Sequence, residues 1–205
     1  MPVGTVYFER PGPENTDKTL ELALKRAREL GIKHVVVAST TGETGVKAAE
    51  VMCREGLRVI VVTHQYGFRK PGENPAVEER LRRIRELGGE VLTATDLLTT
   101  VPKPFGGLQG GFPLSVVAQT LRMFCEGMKV CVEITLMAAD AGRIPVDKEV
   151  VAVAGTGRGA DTAVIPDCLM TSSTSPATWA AVAGSIQVSL SRASMIFCLF
   201  HPSRV

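Results

Sequence analysis

Cysteine is sparse in this chain and follows no recognisable pattern. The five cysteines, Cys53, Cys125, Cys131, Cys168 and Cys198, are odd in number and contain no Cys-x-x-Cys pair. Neither a disulfide framework nor a zinc site is indicated, because both need paired or closely spaced thiols. The amino-terminal residues also lack the basic region and apolar stretch of a signal peptide. We therefore expect a cytoplasmic protein with reduced thiols and no bound metal.

Strong net charge, aromatic residues and long apolar runs are lacking as well. The formal net charge is +2 over 205 residues and aromatics make up 5% of the chain, so the composition gives no case for nucleic-acid binding. Arginines alternate with glutamates in segment 78–86, which favours a solvated helix face over a binding patch. No apolar run approaches the roughly 20 residues that span a bilayer. We expect neither nucleic acid nor a membrane as a partner.

What the chain does contain is an alternation of strand-length apolar runs and segments with helical spacing. Strands are predicted at 3–8, 35–38, 59–62, 90–93 and 149–154. Helices are predicted at 16–30, 44–55, 75–87, 114–126 and 129–141, with Asn74 as the cap of the third. A strand, a helix and a strand joined by short connections form a βαβ unit with a right-handed crossover. The pattern predicts an α/β fold, with three α/β/α layers around a mainly parallel sheet.

A hydroxyl-rich turn follows the buried run 35–38 and opens a helix. At such a helix start, unpaired N–H groups and the helix dipole bind anions well, most often phosphate. The same hydroxyls can instead only cap the helix, and both interpretations stay open. The candidate residues in the turn are Ser39, Thr40, Thr41, Gly42 and Thr44.

Two further loops are placed to take part in a site. Segment 64–72 follows strand 59–62, and open α/β sheets bind ligands at the carboxyl ends of their parallel strands. His64, Tyr66 and Arg69 are therefore candidates by position, although each also fits an ordinary surface loop.

The second loop is a glycine-rich run after strand 149–154. Its spacing matches neither the dinucleotide fingerprint nor Walker A. Its N–H groups and one guanidinium suit a phosphate or carboxylate, with Asp161 either holding the loop or meeting a ligand hydroxyl. A glycine-rich β-turn without a ligand explains it equally well. The candidates are Gly155, Thr156, Gly157, Arg158, Gly159, Asp161 and Thr162.

Two segments break the alternation of strands and helices. Segment 101–113 carries four glycines and three prolines, which predicts either a lid or wall of the site or a disordered excursion. Residues 166–205 hold eleven Ser or Thr and only three charged side chains. We assign residues 1–165 to the α/β domain and 166–205 to an atypical extension, with poor order as one hypothesis. A sheet edge left without its strand would favour a homo-oligomer.

Read together, several of these stretches resemble the carboxyl-terminal α/β domain of pyruvate kinase. The turn 39–44 after a valine-rich strand and the Val-Thr ending of the next strand carry the resemblance. With segments 7–12, 63–69 and 154–162, the chain is more specifically similar to the stand-alone pyruvate-kinase alpha/beta domain-like proteins, which are largely of unknown function. The resemblance covers roughly residues 3–165.

The resemblance implies a ligand pocket without pyruvate kinase activity, because the chain has no room for the catalytic barrel. In some pyruvate kinases the corresponding turn binds the phosphate of a sugar bisphosphate effector. By similarity, turn 39–44 would hold a phosphate and loop 155–161 would close the pocket. Flavin mononucleotide (FMN) is our hypothesis for the ligand, since it needs one phosphate nest and one flat apolar slot. The candidates for the slot are Tyr66, Phe68, Phe105 and Phe112.

Two other functions stay open. In the first, the protein is an enzyme with His64 as a general acid or base, and Arg69 or Arg158 steadies negative charge. No triad order, metal spacing or carboxylate pair points to a particular reaction, and Glu133 and Asp140 are interpreted as isolated structural carboxylates. In the second, the protein is an interaction module.

Overall fold

Strands and helices alternate through the part of the chain that the computed structural model describes, residues 6–101 and 113–166. The α-helices are α1 (Thr16–Leu30), α2 (Glu43–Met52), α3 (Glu78–Glu86), α4 (Pro113–Arg122) and α5 (Glu126–Asp140). The strands are β1 (His34–Ala38), β2 (Arg58–Thr63), β3 (Glu90–Thr93), β4 (Val151–Ala154) and β5 (Thr162–Val164). Among these residues, none of the helices is long and apolar enough to cross a membrane.

The strands form one sheet in the order β3-β2-β1-β4-β5. Strand β1 is central and pairs in parallel with β2 and β4, so that Val36 lies between Ile60 and Ala152. Strand β3 continues the parallel arrangement beyond β2, whereas β5 pairs antiparallel with β4. The predicted mainly parallel sheet is confirmed.

Helices cover both faces of the sheet. Helices α1, α2 and α3 pack on one face, where Ala23, Met52 and Ile84 belong to the same core cluster as the side chains of Val35 and Val37. Helix α5 covers the other face, and its buried residues Ile134, Met137 and Ala138 share a cluster with Val36. Successive strand residues point to opposite faces, so a strand buried on both sides is continuously apolar. The predicted three layers are confirmed.

The start of α3 differs from the prediction. Asn74 caps no helix; its Oδ1 atom accepts a hydrogen bond from Ala76 N at 2.8 Å. Val77 is extended, with φ −90° and ψ 116°, and precedes the first helical residue, Glu78. The N–H group of Val77 donates to Thr41 O at 3.2 Å. The chain before α3 is therefore held against turn 39–44 instead of starting the helix early.

Three other predicted boundaries change. In the predicted strand 3–8, the described residues Val6 to Phe8 form no strand, and Tyr7 is exposed. Strand β4 begins two residues late, since Glu149 is exposed. The break between α4 and α5 comes early because Cys125 is extended and its Sγ atom accepts from Met128 N at 3.2 Å, which caps α5.

Three segments lie outside the described residues. They are 1–5, 102–112, with Phe105 and Phe112, and 167–205. The lid, the two slot aromatics and the poorly ordered extension therefore stay predictions.

Gly45 lets α2 pack closely against β2 and α3. A Cβ atom at this position would lie 2.6 Å from Val61 Cγ1 and 2.9 Å from Ile84 Cδ1. Alanine normally stabilises a helix relative to glycine by about 1 kcal/mol, but overpacking a core costs about 1–3 kcal/mol. We expect Gly45→Ala to lower the free energy of unfolding by about 1 kcal/mol in urea denaturation.

The control for this prediction is Val51→Ala, on the exposed side of the same helix. We expect that variant to stay within about 0.5 kcal/mol of the parent. A Gly45→Ala protein at least as stable as the parent would show that α2 can move away from the sheet.

Candidate functional site

The sheet brings four loops to one edge. Because β1, β2, β3 and β4 are parallel, their carboxyl ends meet there, and the chain order reverses between β1 and β4. Open α/β sheets bind ligands in the crevice at such a switch point. The edge carries turn 39–44, loop 64–72, the segment after β3 and loop 155–161.

Turn 39–44 is built around Ser39. Its N–H group donates to Val62 O at 2.9 Å, which extends the pairing of β1 with β2 by one step. Its hydroxyl accepts from Gly45 N at 3.1 Å, so it caps the first turn of α2. Gly42 has φ +89°, and a Cβ atom there would lie 2.8 Å from Arg80 Cβ. Ser39 and Gly42 therefore shape the turn, and the helix-capping interpretation holds for Ser39.

Arg80 lies beside this turn, and the sequence interpretation did not single it out as a candidate. Its Nη1 atom lies 3.0 Å from Thr41 Oγ1 and 3.5 Å from Thr41 O, and it donates to both. The carboxylate of Glu43 lies 3.9 Å from the same nitrogen. A guanidinium thus stands beside the amino-terminal end of α2. In the sequence, Arg80 is one of several arginines that alternate with glutamates in segment 78–86, and that pattern indicated a solvated helix face.

His64 is paired with a carboxylate. Its Nδ1 atom lies 2.8 Å from Asp96 Oδ2, and the Asp96 side chain is buried. The imidazole stacks on the Phe68 ring, with 3.6 Å between the ring centroids and 7° between the planes. Asn74 Nδ2 donates to His64 O at 2.9 Å. Asp96 was not predicted, but its place three residues beyond β3, at the same edge as His64, is a signal that could have found it.

Gln65 holds the other side of Asp96. In the orientation that gives each amide atom a partner, its nitrogen donates to Oδ1 and Oδ2 of Asp96 at 3.1 and 3.2 Å, and its oxygen accepts from Thr100 Oγ1 at 2.7 Å. The carboxylate therefore has a fixed position beside the imidazole. Tyr66 and Arg69 are exposed members of the same loop.

Loop 155–161 joins β4 and β5 and is closed by Asp161. The Oδ2 atom of Asp161 accepts from Gly12 N at 3.2 Å and from Thr156 N at 3.0 Å. Its Oδ1 atom accepts from Thr162 Oγ1 at 2.8 Å. The side chain is buried and holds the loop against the segment before α1. Of the two roles predicted for Asp161, this geometry matches the first.

The glycines of loop 155–161 allow this close packing. Gly159 has φ +69°, and a Cβ atom there would lie 2.5 Å from Pro13 Cα. A Cβ atom at Gly155 would lie 2.6 Å from Gly159 O. Thr156, Gly157 and Arg158 are exposed in the outer part of the loop, whereas Thr162 is buried in β5.

A small open cavity of about 20 Å³ lies beside Asp161. It has room for little more than one water molecule and is far smaller than the roughly 300–1,000 Å³ of pockets that hold drug-sized ligands. Burial raises the pKa of the Cys125 thiol, against a smaller lowering by its hydrogen bond to Thr162, so the thiol stays protonated at neutral pH and is a poor nucleophile. The cavity is lined by Phe8, Arg10, Pro11, Cys125, Thr156, Asp161 and Thr162.

A buried ion pair supports the segment after β3. Lys129 Nζ lies 2.8 Å from Glu133 Oε2 and also donates to Thr99 Oγ1. The Oε1 atom of Glu133 accepts from Leu98 N at 2.7 Å and from Thr99 N at 2.9 Å. Glu133 is therefore structural, as interpreted, but it is not isolated. Within residues 6–101 and 113–166, no group of three or more His, Cys, Asp or Glu side chains is placed to hold a metal ion.

One family model and several solved structures are similar to this chain. A family model described as the pyruvate kinase alpha/beta domain matches residues 17–165. A pyruvate kinase structure from Cryptosporidium parvum is 16% identical with a TM-score of 0.38, over 75% of this chain and 22% of that one. An O-ureido-L-serine synthase structure is 21% identical with a TM-score of 0.30, over 53% of this chain and 29% of that one. The chain thus spans less than a third of either structure. Since the family model covers most of the chain, the protein belongs to the pyruvate kinase alpha/beta domain family.

Proposed function

We propose that the protein binds a phosphorylated small molecule, with the phosphate at turn 39–44. The observation that carries the proposal is the contact of Arg80 with Thr41 at the start of α2. The first N–H groups of a helix have no partner within it, and the helix dipole adds partial positive charge. A guanidinium beside them supplies a full charge and donors that match phosphate geometry.

Different residues of the turn have different parts in this proposal. Ser39 and Gly42 shape the turn, and Ser39 already accepts from Gly45 N. Thr40 and Thr41 are only partly buried, and their hydroxyls can donate to phosphate oxygens. The carboxylate of Glu43 lies near Arg80 and competes with a phosphate for it.

FMN remains our proposed ligand. The donors of turn 39–44 suit its phosphate, and the stacked His64 and Phe68 rings offer a flat surface one strand away. Tyr66 is exposed in the same loop and can cover a bound ring. A bound flavin would supply redox chemistry at this edge. The first experiment is an absorption spectrum of the freshly purified protein, with mass spectrometry of what denaturation releases.

Arg80→Met is expected to weaken binding of FMN or of glycerol 3-phosphate by about tenfold or more. A hydrogen bond to a charged group contributes about 1.5–3 kcal/mol, and 1.4 kcal/mol corresponds to a factor of ten. Isothermal titration calorimetry measures the effect. Glu43→Gln should strengthen binding, because it removes the competing carboxylate.

The matched control for Arg80 is Arg83→Met. Arg83 lies on the same helix, and its guanidinium approaches Glu50 and Glu86 instead of the turn. If Arg80→Met and Arg83→Met lost the same affinity, the loss would come from the reduced positive charge of the protein and not from a specific contact of Arg80 with the phosphate. If neither probe binds the parent protein, the proposed function is wrong.

A further inference from the structure

Phosphate binding leaves the pairing of His64 with Asp96 without a role. We propose that the pair is a proton-transfer site, at which the Nε2 atom of His64 exchanges a proton with the ligand whose phosphate binds at turn 39–44. The inference rests on the proposed function and deepens it. The substrate class is a small phosphorylated hydroxy or carbonyl compound.

The buried carboxylate decides which nitrogen of His64 carries the proton. Asp96 Oδ2 lies 2.8 Å from Nδ1, and an ionised carboxylate is only an acceptor. Nδ1 of the neutral ring is therefore the N–H donor, which leaves the lone pair on Nε2. Gln65 donates to both oxygens of Asp96 and holds the carboxylate in place.

The imidazole is fixed and still accessible. Phe68 stacks on its face at 3.6 Å, and Asn74 holds the backbone of His64 through a hydrogen bond of 2.9 Å. The side chain of His64 is 28% exposed, against 6% for Asp96. A ligand can therefore reach the imidazole but not the carboxylate, which is the arrangement that a positioned base requires.

The backbone of His64 lies one strand away from the proposed phosphate site, at the same end of the sheet. Strands β1 and β2 are parallel neighbours, and Ser39 N donates to Val62 O at 2.9 Å. The chain segments that follow, with Thr40 and His64, start about 5 Å apart, the spacing of adjacent strands. Residues 74–77, just before α3, are hydrogen-bonded to both segments. Asn74 donates to His64 O, and the N–H group of Val77 donates to Thr41 O.

The step needs no other reactant. The lone pair of Nε2 takes a proton from an acidic O–H or C–H group of the ligand, and the bonding electrons stay on the ligand atom. The resulting imidazolium is stabilised by the carboxylate of Asp96, which accepts the hydrogen bond from Nδ1–H while the proton stays on the ring. The imidazolium then returns its proton to the ligand. His64 is the residue that touches the substrate, and Asp96 is a positioning residue.

The first test measures the tautomer of His64 by ¹⁵N NMR in the whole protein. We expect the Nδ1–H tautomer in the parent. Asp96→Asn should shift His64 toward Nε2–H, because an amide can donate to Nδ1, and Asp96→Glu should restore the parent signal. An Nε2–H tautomer in the parent protein overturns the inference, and this measurement depends on no variant that must fold.

The second test measures carbethoxylation of each histidine by diethyl pyrocarbonate, with peptide mass spectrometry. FMN or glycerol 3-phosphate at about ten times its dissociation constant should slow modification of His64 by about tenfold. His34 is the internal control, since it begins β1 at the opposite edge of the sheet and should react at an unchanged rate.

The outcomes separate the two proposals. If a probe binds and Arg80→Met weakens that binding, but His64 is modified at the same rate with and without the probe, the inference is overturned and the proposed function stands. If the probe slows the carbethoxylation of His64 but not that of His34, and His64 has the Nδ1–H tautomer, the inference is supported. If neither probe binds, both the proposed function and the inference that rests on it are wrong.

Discussion

Glu133→Leu is expected to lower the free energy of unfolding by about 3–5 kcal/mol, because it removes the nearest partner of the buried ammonium group of Lys129. The carboxylate of Glu126, which is partly exposed, then remains at 3.8 Å. Lys129 is 3% exposed and Glu133 is 4% exposed, so water cannot replace the lost contact. The substitution also removes the acceptor of Leu98 N and Thr99 N. Urea denaturation followed by circular dichroism measures the loss.

Lys129→Met should cost less than Glu133→Leu, at about 1–3 kcal/mol. The carboxylate that remains still accepts from two backbone N–H groups and from Thr99 Oγ1. Amide hydrogen exchange at Leu98 and Thr99 should speed up in Glu133→Leu and much less in Lys129→Met.

The control is Glu21→Gln, which breaks an exposed ion pair with Lys18. Exposed pairs contribute about 0–1 kcal/mol, so little change is expected. If Glu133→Leu also changed stability by less than 1 kcal/mol, the segment after β3 would not depend on this pair.

Asp161→Ala is expected to lower the free energy of unfolding by about 2–3 kcal/mol. Gly12 N, which is buried, and Thr156 N would lose their acceptor, and each buried unpaired donor costs about 1–3 kcal/mol. Thr162→Val removes only the hydroxyl that donates to Asp161 Oδ1 and should lower the free energy of unfolding by about 1 kcal/mol. Thermal unfolding and proteolysis near residues 9–15 measure the effects.

This variant also separates the two roles predicted for Asp161. If the residue holds the loop, the folded Asp161→Ala protein should bind FMN with nearly the parent affinity. A large loss of affinity without a loss of stability would instead indicate that Asp161 meets the ligand.

The layer structure could be predicted because it depends on local patterns. The valines at 35–37 are fully buried, and a continuous apolar run of this length is typical of a strand covered on both faces. Gly31 ends α1 in the left-handed conformation, as its position indicated, and Gly56 does the same for the 3₁₀ turn that follows α2. Such signals need only a few neighbouring residues.

The residues that the sequence interpretation missed depend on distant contacts. Arg80 has the charge pattern of a surface residue, and tertiary contacts such as the hydrogen bond from Val77 to Thr41 bring its helix to the turn. Asp96 meets His64 across a gap of 32 positions, because β2 and β3 are neighbours in the sheet. Periodicity contains no information on such pairs. The strand order that brings them together is a property of the whole sheet.

The strand order has a consequence for the newly made chain. Strand β1 gains β2 early, but its other neighbour, β4, is more than a hundred residues away in the sequence. The hydrogen-bond partner of Gly12, Asp161, is 149 positions further along the chain. At the usual rate of protein synthesis, Asp161 is added roughly 7–30 s after Gly12. During that interval the open side of β1, whose residues Val35 to Val37 are fully buried in the folded protein, can pair with other chains. The protein is therefore most exposed to aggregation on the ribosome, and a chaperone that covers β1 would protect it at that stage.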